Sequence, residues 1–268
     1  MVRTGITWTV TIISNWVELI DGMLLHLKEN GVVFRTDVPK GHYEAVIRDD
    51  HLTVLENVGL VELMNPKAGK QKQQYNLTDS GDEYVRYVRQ KDQQQKDRLL
   101  HNLFYSGISH YRYAYDCILE DNLYEFSDRE FNEHLVIRST SDFGVRLYDQ
   151  RSYKNVIHVL KGIGVAEKNE NGNYVINSDY RMKFNEDKFK KIVRELLGEV
   201  DLEYTKVMCR RLLNRSDEFL SVPEPGLTIL NILKRLKKLR EEGNIEFVAG
   251  IPKPPIEAAY TLIRWVQK

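Results

Sequence analysis

Two cysteines in 268 residues, Cys117 and Cys209, stand 92 positions apart, a number and spacing that suit neither a disulfide framework nor a zinc motif built on paired thiols. Charge of one sign is missing too. Thirty-nine Lys and Arg meet 39 Asp and Glu, so the chain as a whole lacks the broad positive field that usually accompanies nucleic-acid binding. No run of about 18 uninterrupted apolar residues occurs, which leaves nothing to span a bilayer as a helix. The mildly apolar start, Met1 to Leu19, is interrupted by Thr4, Thr7, Thr9 and Thr11 and leads to no small-residue cleavage site, so no signal peptide is read and a reducing cytoplasm is expected. Glycine-rich phosphate loops, nucleophile elbows and histidine pairs at metal-ligand spacing are absent as well. Asp116, Glu120 and Asp121 lack the lysine on an adjoining strand that would make a nuclease pattern distinctive. The expectation is a protein without catalysis, cofactor or metal.

What the chain does contain is a repeat. His51-Leu-Thr-Val-Leu-Glu-Asn-Val-Gly-Leu-Val-Glu62 returns 105 residues later as Val156-Ile-His-Val-Leu-Lys-Gly-Ile-Gly-Val-Ala-Glu167, and more loosely from Arg235 to Glu246. Each copy sets apolar residues three and four apart, ends at a glycine, and continues as a short apolar run. Glycine closes a helix in the left-handed conformation without steric cost, so the pattern predicts helix, sharp turn, strand. The first copy is followed by a polar loop, Asn65 to Lys72, and a second apolar run, Gln74 to Leu77. The second is followed by Asn169-Glu-Asn-Gly172, where Asn-Gly between short strands predicts a hairpin.

Helices are predicted upstream of each copy. Trp16 to Lys28 carries an apolar stripe that stops at Asn30-Gly31. Ser127-Asp-Arg-Glu130 reads as a capping box opening a helix through Val136. Phe189 to Leu197 and Leu202 to Leu213 are amphipathic, and Pro223 and Pro225 bar further helix. Gln90 to Asp97, rich in Gln, Lys and Asp, reads as the solvated extension of a helix into a linker.

The run HLTVLENVGLVEL followed by YNLTDSGDEYV resembles the recognition helix, wing strands and final helix of prokaryotic winged helix-turn-helix regulators of the ArsR and MarR type, especially archaeal ones. The resemblance is closest over Val17 to Val88, and looser over Asn102 to Phe184 and Asp187 to Lys268. It implies an α+β, mostly helical fold of tandem winged helix-turn-helix modules with short β-hairpin wings, at 1–98, 99–186 and 187–268.

The function expected on this basis is binding of double-stranded DNA in transcription control or another DNA transaction. Arg48, with Asp49 and Thr53, is expected on the exposed face of the first recognition helix, where the neighbouring carboxylates would oppose phosphate. Lys67, Lys70 and Lys72 share one polar loop, the chemistry that suits phosphate contact. Arg151 and Lys154 stand near a helix start. From Lys188 to Lys268, 16 Lys and Arg face 11 Asp and Glu, with Lys234, Arg235, Lys237, Lys238 and Arg240 opposite the stripe Leu230, Leu233, Leu236, Leu239. His51, His158 and the run Tyr105, His110, Tyr111, Tyr113, Tyr115 read as packing residues before they read as ligands. A second class fits the same features: a scaffold or adaptor subunit that grips a protein complex, which the zero net charge and the acids at Asp49 and Asp50 favour. Oligomeric state and target are not legible.

Overall fold

The computed structural model describes residues 10–144, 146–181, 184–199, 203–219, 229–248 and 262–266. Side chains at 206, 229–231 and 234 are not among them, and the stretch holding Pro223 and Pro225 also lies outside. The fold is α+β and mostly helical, with three small antiparallel sheets. Among the described residues no helix is long and apolar enough to cross a membrane.

The first group of elements is α1 (Trp16–Asn30), β1 (Val33–Phe34), α2 (Ala45–Asn57), β2 (Val61–Leu63), β3 (Gln74–Leu77) and α3 (Asp79–Gln90). Helix α1 follows from its stripe: Leu19, Ile20, Met23, Leu24 and Leu27 are buried, each such side chain contributing roughly 1.5–3 kcal/mol of transfer free energy. It ends where Gly31 takes φ 68°. Thr78 caps α3 by accepting from the Gly81 amide, satisfying one orphan donor of the first turn.

Helix α4 (Gln93–Gly107) leads into the second group: α5 (Ser109–Glu120), β4 (Glu125–Phe126), α6 (Asp128–Phe143), α7 (Gln150–Gly162), β5 (Ala166–Lys168) and β6 (Tyr174–Ile176). The capping box at Ser127 and Glu130 forms in full, and α6 runs past Val136 to Phe143. The third group is α8 (Glu186–Gly198), β7 (Glu203–Tyr204), α9 (Thr205–Leu213), α10 (Ile229–Glu241), β8 (Ile245–Val248) and β9 (Leu262–Trp265). In every sheet the last strand in sequence lies in the middle, giving the orders β1-β3-β2, β4-β6-β5 and β7-β9-β8.

The three signature glycines, Gly59, Gly164 and Gly243, have φ of 76°, 64° and 73°. Around them one hydrogen-bond pattern recurs. Leu60 N donates to Leu55 O, Val165 N to Leu160 O and Asn244 N to Leu239 O, each at 2.9 Å, while each glycine amide donates to the carbonyl three residues back. This is the Schellman closure of a helix. The residue after the glycine then accepts from the end of the central strand: Thr78 N to Leu60 O, Asn177 N to Val165 O, Val266 N to Asn244 O.

The chain divides into two compact units, Met1–Tyr180 and Arg181–Lys268. Inside the first, the segment from Val10 to Ile12 ties the first two groups together. Thr11 N donates to Asp50 Oδ2 on α2 at 2.7 Å, while Asn155 on α7 accepts from Ile12 N at 3.0 Å and donates to Val10 O at 2.7 Å. His158 Nδ1 lies 2.6 Å from Ile12 O, and Trp16 Nε1 donates to His158 O at 2.9 Å. Gln90 to Asp97 differs from its sequence reading as a solvated extension. Lys91 turns left-handed at φ 56° and ends α3, Asp92 caps α4, and Lys96 is buried with its Nζ 3.1 Å from Asp21 Oδ2. Position 98, the first expected module boundary, falls within α4, which packs on α3 and on α5.

In the second unit, Phe189, Ile192, Val193 and Leu196 of α8 pack with Met208 and Leu212 of α9 and with Leu233, Leu236 and Leu239 of α10. Three of the four leucines in the α10 stripe are thereby placed in a core; the Leu230 side chain lies outside the described residues.

Candidate nucleic-acid interface

Charge gathers where α2 meets the loop between β2 and β3. Arg35 follows β1, and its amide donates to Gln73 O at 2.8 Å. Its Nη1 reaches Gln73 Oε1 at 2.6 Å and the Tyr75 hydroxyl at 3.2 Å, and its Nε lies 3.0 Å from Asp49 Oδ1. Arg48 places Nε and Nη2 on the same oxygen at 3.1 and 2.9 Å and donates from Nη1 to Thr36 O. Lys70 Nζ approaches the other oxygen, Asp49 Oδ2, at 3.1 Å. Burial pushes the Asp49 carboxyl upward, but the positive groups of Arg48, Arg35 and Lys70 beside it outweigh that and hold it below the ordinary carboxylate range.

Arg48 therefore does not stand on the exposed face where sequence placed it. It is 8% exposed, because the spacing 48, 52, 55 is the core stripe of α2, shared with Leu52 and Leu55. Asp49, expected to repel phosphate, is already neutralised. Three cations converge on one carboxylate and leave a local excess of positive charge.

The loop itself is built. Asn65 donates to Lys72 O at 2.8 Å and accepts from Gln74 N at 2.7 Å, and Lys72 N closes a turn onto Gly69 O. Lys67, Lys70 and Lys72 are exposed on it, and no acidic side chain among the described residues pairs with Lys67 or Lys72.

On α7, Asp149 caps the helix by accepting from Ser152 N at 2.7 Å, which holds its carboxyl low. Arg151 and Lys154 are exposed, and Lys161 is exposed on the same face. At 100° per residue, positions 151, 154 and 161 fall within one stripe about 80° wide. Sequence reading missed Lys161, although its spacing from Lys154, two helical turns, carried the signal. The hairpin after α7 exposes Glu167 and Glu170 along with Lys168, so the net positive charge here belongs to the helix.

In the second unit the α10 cations are partly engaged. Arg235 Nη1 lies 2.9 Å from Glu186 Oε1 with its guanidinium 3.4 Å from the centroid of the Phe184 ring, and Lys238 Nζ is 3.4 Å from the same glutamate. Lys237 is exposed, and the Lys234 side chain lies outside the described residues.

Other ionisable side chains of the first unit pair with one another. Arg138 gathers Glu120, Asp121 and Asp142 at 2.6–3.2 Å, and His134 Nε2 sits 2.8 Å from Asp121. Burial pushes the Cys117 and Cys209 thiols up to about 12, far from thiolate chemistry at neutral pH. Among the described residues no group of three or more His, Cys, Asp and Glu is placed to hold a metal ion. Tyr105, His110, Tyr111 and Tyr115 are core residues, and His101, with Nδ1 2.7 Å from the Tyr111 hydroxyl, sits edge-on to Tyr111, Tyr115 and Tyr180.

No family model matches the sequence, and no curated protein matches it. Among solved structures, the restriction endonuclease FokI aligns at a TM-score of 0.35 with 10% identity, over 91% of this chain and 55% of that one. The chain thus spans about half the length of FokI.

Proposed function

We propose that the protein binds double-stranded DNA through tandem winged helix-turn-helix modules, by anchoring phosphates and without performing chemistry. The observation that carries the reading is the threefold recurrence of helix, Schellman glycine and three-stranded sheet. In two of these groups the recurrence coincides with exposed cations where such modules present them: Lys67, Lys70 and Lys72 on a hairpin loop, and Arg151, Lys154 and Lys161 on a helix. The zero net charge weighs less where Asp49 is tied into the Arg35–Arg48–Lys70 cluster, three cations to one carboxylate. Control of transcription is one DNA transaction that this mode of binding serves.

The experiment is a titration of fluorescent mixed-sequence duplex at several salt concentrations. Six phosphate contacts predict a slope of log affinity on log salt of about −5. Absence of binding at low salt removes the reading.

A second reading is favoured by one specific feature. Val32, Phe34 and Met64 are 46%, 45% and 49% exposed around the first sheet, and Val46 at the start of α2 is 60% exposed. Apolar exposure of this kind suits a protein partner, which is what a scaffold or adaptor subunit requires.

A further inference from the structure

Within the cluster around Asp49 the three cations are not equivalent. Arg35 and Arg48 have side chains 9% and 10% exposed, and each is held by further acceptors: Gln73 and Tyr75 for Arg35, Thr36 O for Arg48. Neither can leave without stranding a buried charge, which is costly. Lys70 is 66% exposed and meets Asp49 through one oxygen. Pairs with one partner so exposed are weak and screened by salt. If Lys70 departs, Asp49 keeps both arginines and is not left bare.

We infer that Asp49 occupies the place of a phosphate within the protein and that the Lys70–Asp49 pair is a latch between the β2–β3 loop and α2, which opens when Lys70 transfers to a nucleic-acid phosphate. The inference rests on the DNA-binding reading above and assigns one side chain a change of partner. The latch keeps the loop lysine close to α2 while no ligand is bound and sets a competition that lowers affinity for weak phosphate contacts. Arg35 and Arg48 position Asp49 and do not themselves touch the ligand.

The test uses the full chain, the same duplex and two variants. Lys70→Gln removes the transferring charge: the salt slope is expected to fall by about 0.9, one phosphate contact, with an unchanged melting temperature to within a few degrees. Asp49→Asn removes the competitor: affinity at low salt is expected to rise about two- to fivefold, the size of a weak surface pair, with the slope preserved. Should Asp49→Asn fail to fold because the two arginines lose their partner, Lys70→Gln still decides. A Lys70→Gln protein that binds with the wild-type slope overturns the latch while leaving DNA binding intact. Failure of the wild-type chain to bind duplex at low salt overturns both.

Discussion

Trp16 donates its indole proton to the main-chain carbonyl of His158 across 142 positions of sequence, at 2.9 Å. The ring sits so close to α7 that a methyl group on Gly162 would lie 2.3 Å from the indole nitrogen. One aromatic side chain and one glycine are thus among the contacts by which the first and second groups of elements meet, with Phe104 edge-on to the same ring.

Gly162→Ala forces the ring or the helix to shift and is expected to destabilise the first unit by about 1–3 kcal/mol, the usual cost of overpacking. Chemical denaturation monitored by tryptophan fluorescence measures it. A midpoint equal to wild type would mean that the Trp16 contact does not hold the two groups together.

Gly59 is a cleaner case, since a side chain there meets nothing within 4 Å and only the backbone is strained, at φ 76°. Gly59→Ala is expected to cost about 1 kcal/mol and Gly59→Asn less, because Asn tolerates the left-handed region better. Equal losses in the two variants would show that the closure of α2 is not set by backbone conformation.

Asp97 and His101 stand one turn apart on α4 and titrate in opposite senses. Burial raises Asp97 to about 6, with Asp21 adding to the rise and the Gln93 hydrogen bond and Lys96 opposing it, while burial lowers His101 to about 4. The raised carboxyl favours the folded state when protonated, so its contribution is full below the unfolded value of 3.8 and is lost as pH rises to about 6. The depressed imidazole favours the folded state when neutral, so its contribution is full above 6.5 and is lost as pH falls toward 4. Across that shared window the two partly cancel. Asp97→Asn is expected to make stability rise more steeply with pH than in wild type, and His101→Phe to make it fall, in melting temperatures taken over the window. Parallel profiles in all three proteins would contradict the pairing.

Removing the charges of Arg151, Lys154 and Lys161 together is expected to lower the salt slope for duplex binding by about 3, one contact for each side chain. Replacing Lys237 and Lys238 by Ala is expected to do less, because Lys238 is already engaged by Glu186. The comparison is made in one titration series, and equal losses would place the second unit's helix on the ligand as firmly as α7.

The helix closures were legible because each carries a residue that alone adopts its backbone conformation freely, and the capping box at Ser127 because its two side chains satisfy each other. The break between α3 and α4 was not, since it uses Lys91 and Asp92 instead of glycine or proline, and a left-handed lysine leaves no compositional mark. Strands β1, β4 and β7 are two residues long, too short for alternation to show. Arg48 misled because charge suggests solvent, whereas its helical spacing from Leu52 and Leu55 places it inward. The neutralisation of Asp49 depends on Arg35 and Lys70, 14 and 21 positions away, and on a loop path that local pattern does not encode. Lys161 was readable from spacing alone.

The segment from Val10 to Trp16 has its partners, Asn155 and His158, more than 140 positions downstream. Synthesis at about 5–20 residues per second separates their emergence from the ribosome by roughly 7–30 seconds. Through that interval Ile12 and Trp16, which end up 2% and 1% exposed, have no α7 to cover them. The nascent first group must wait for the second with apolar surface uncovered, which makes this stretch a natural client for a chaperone.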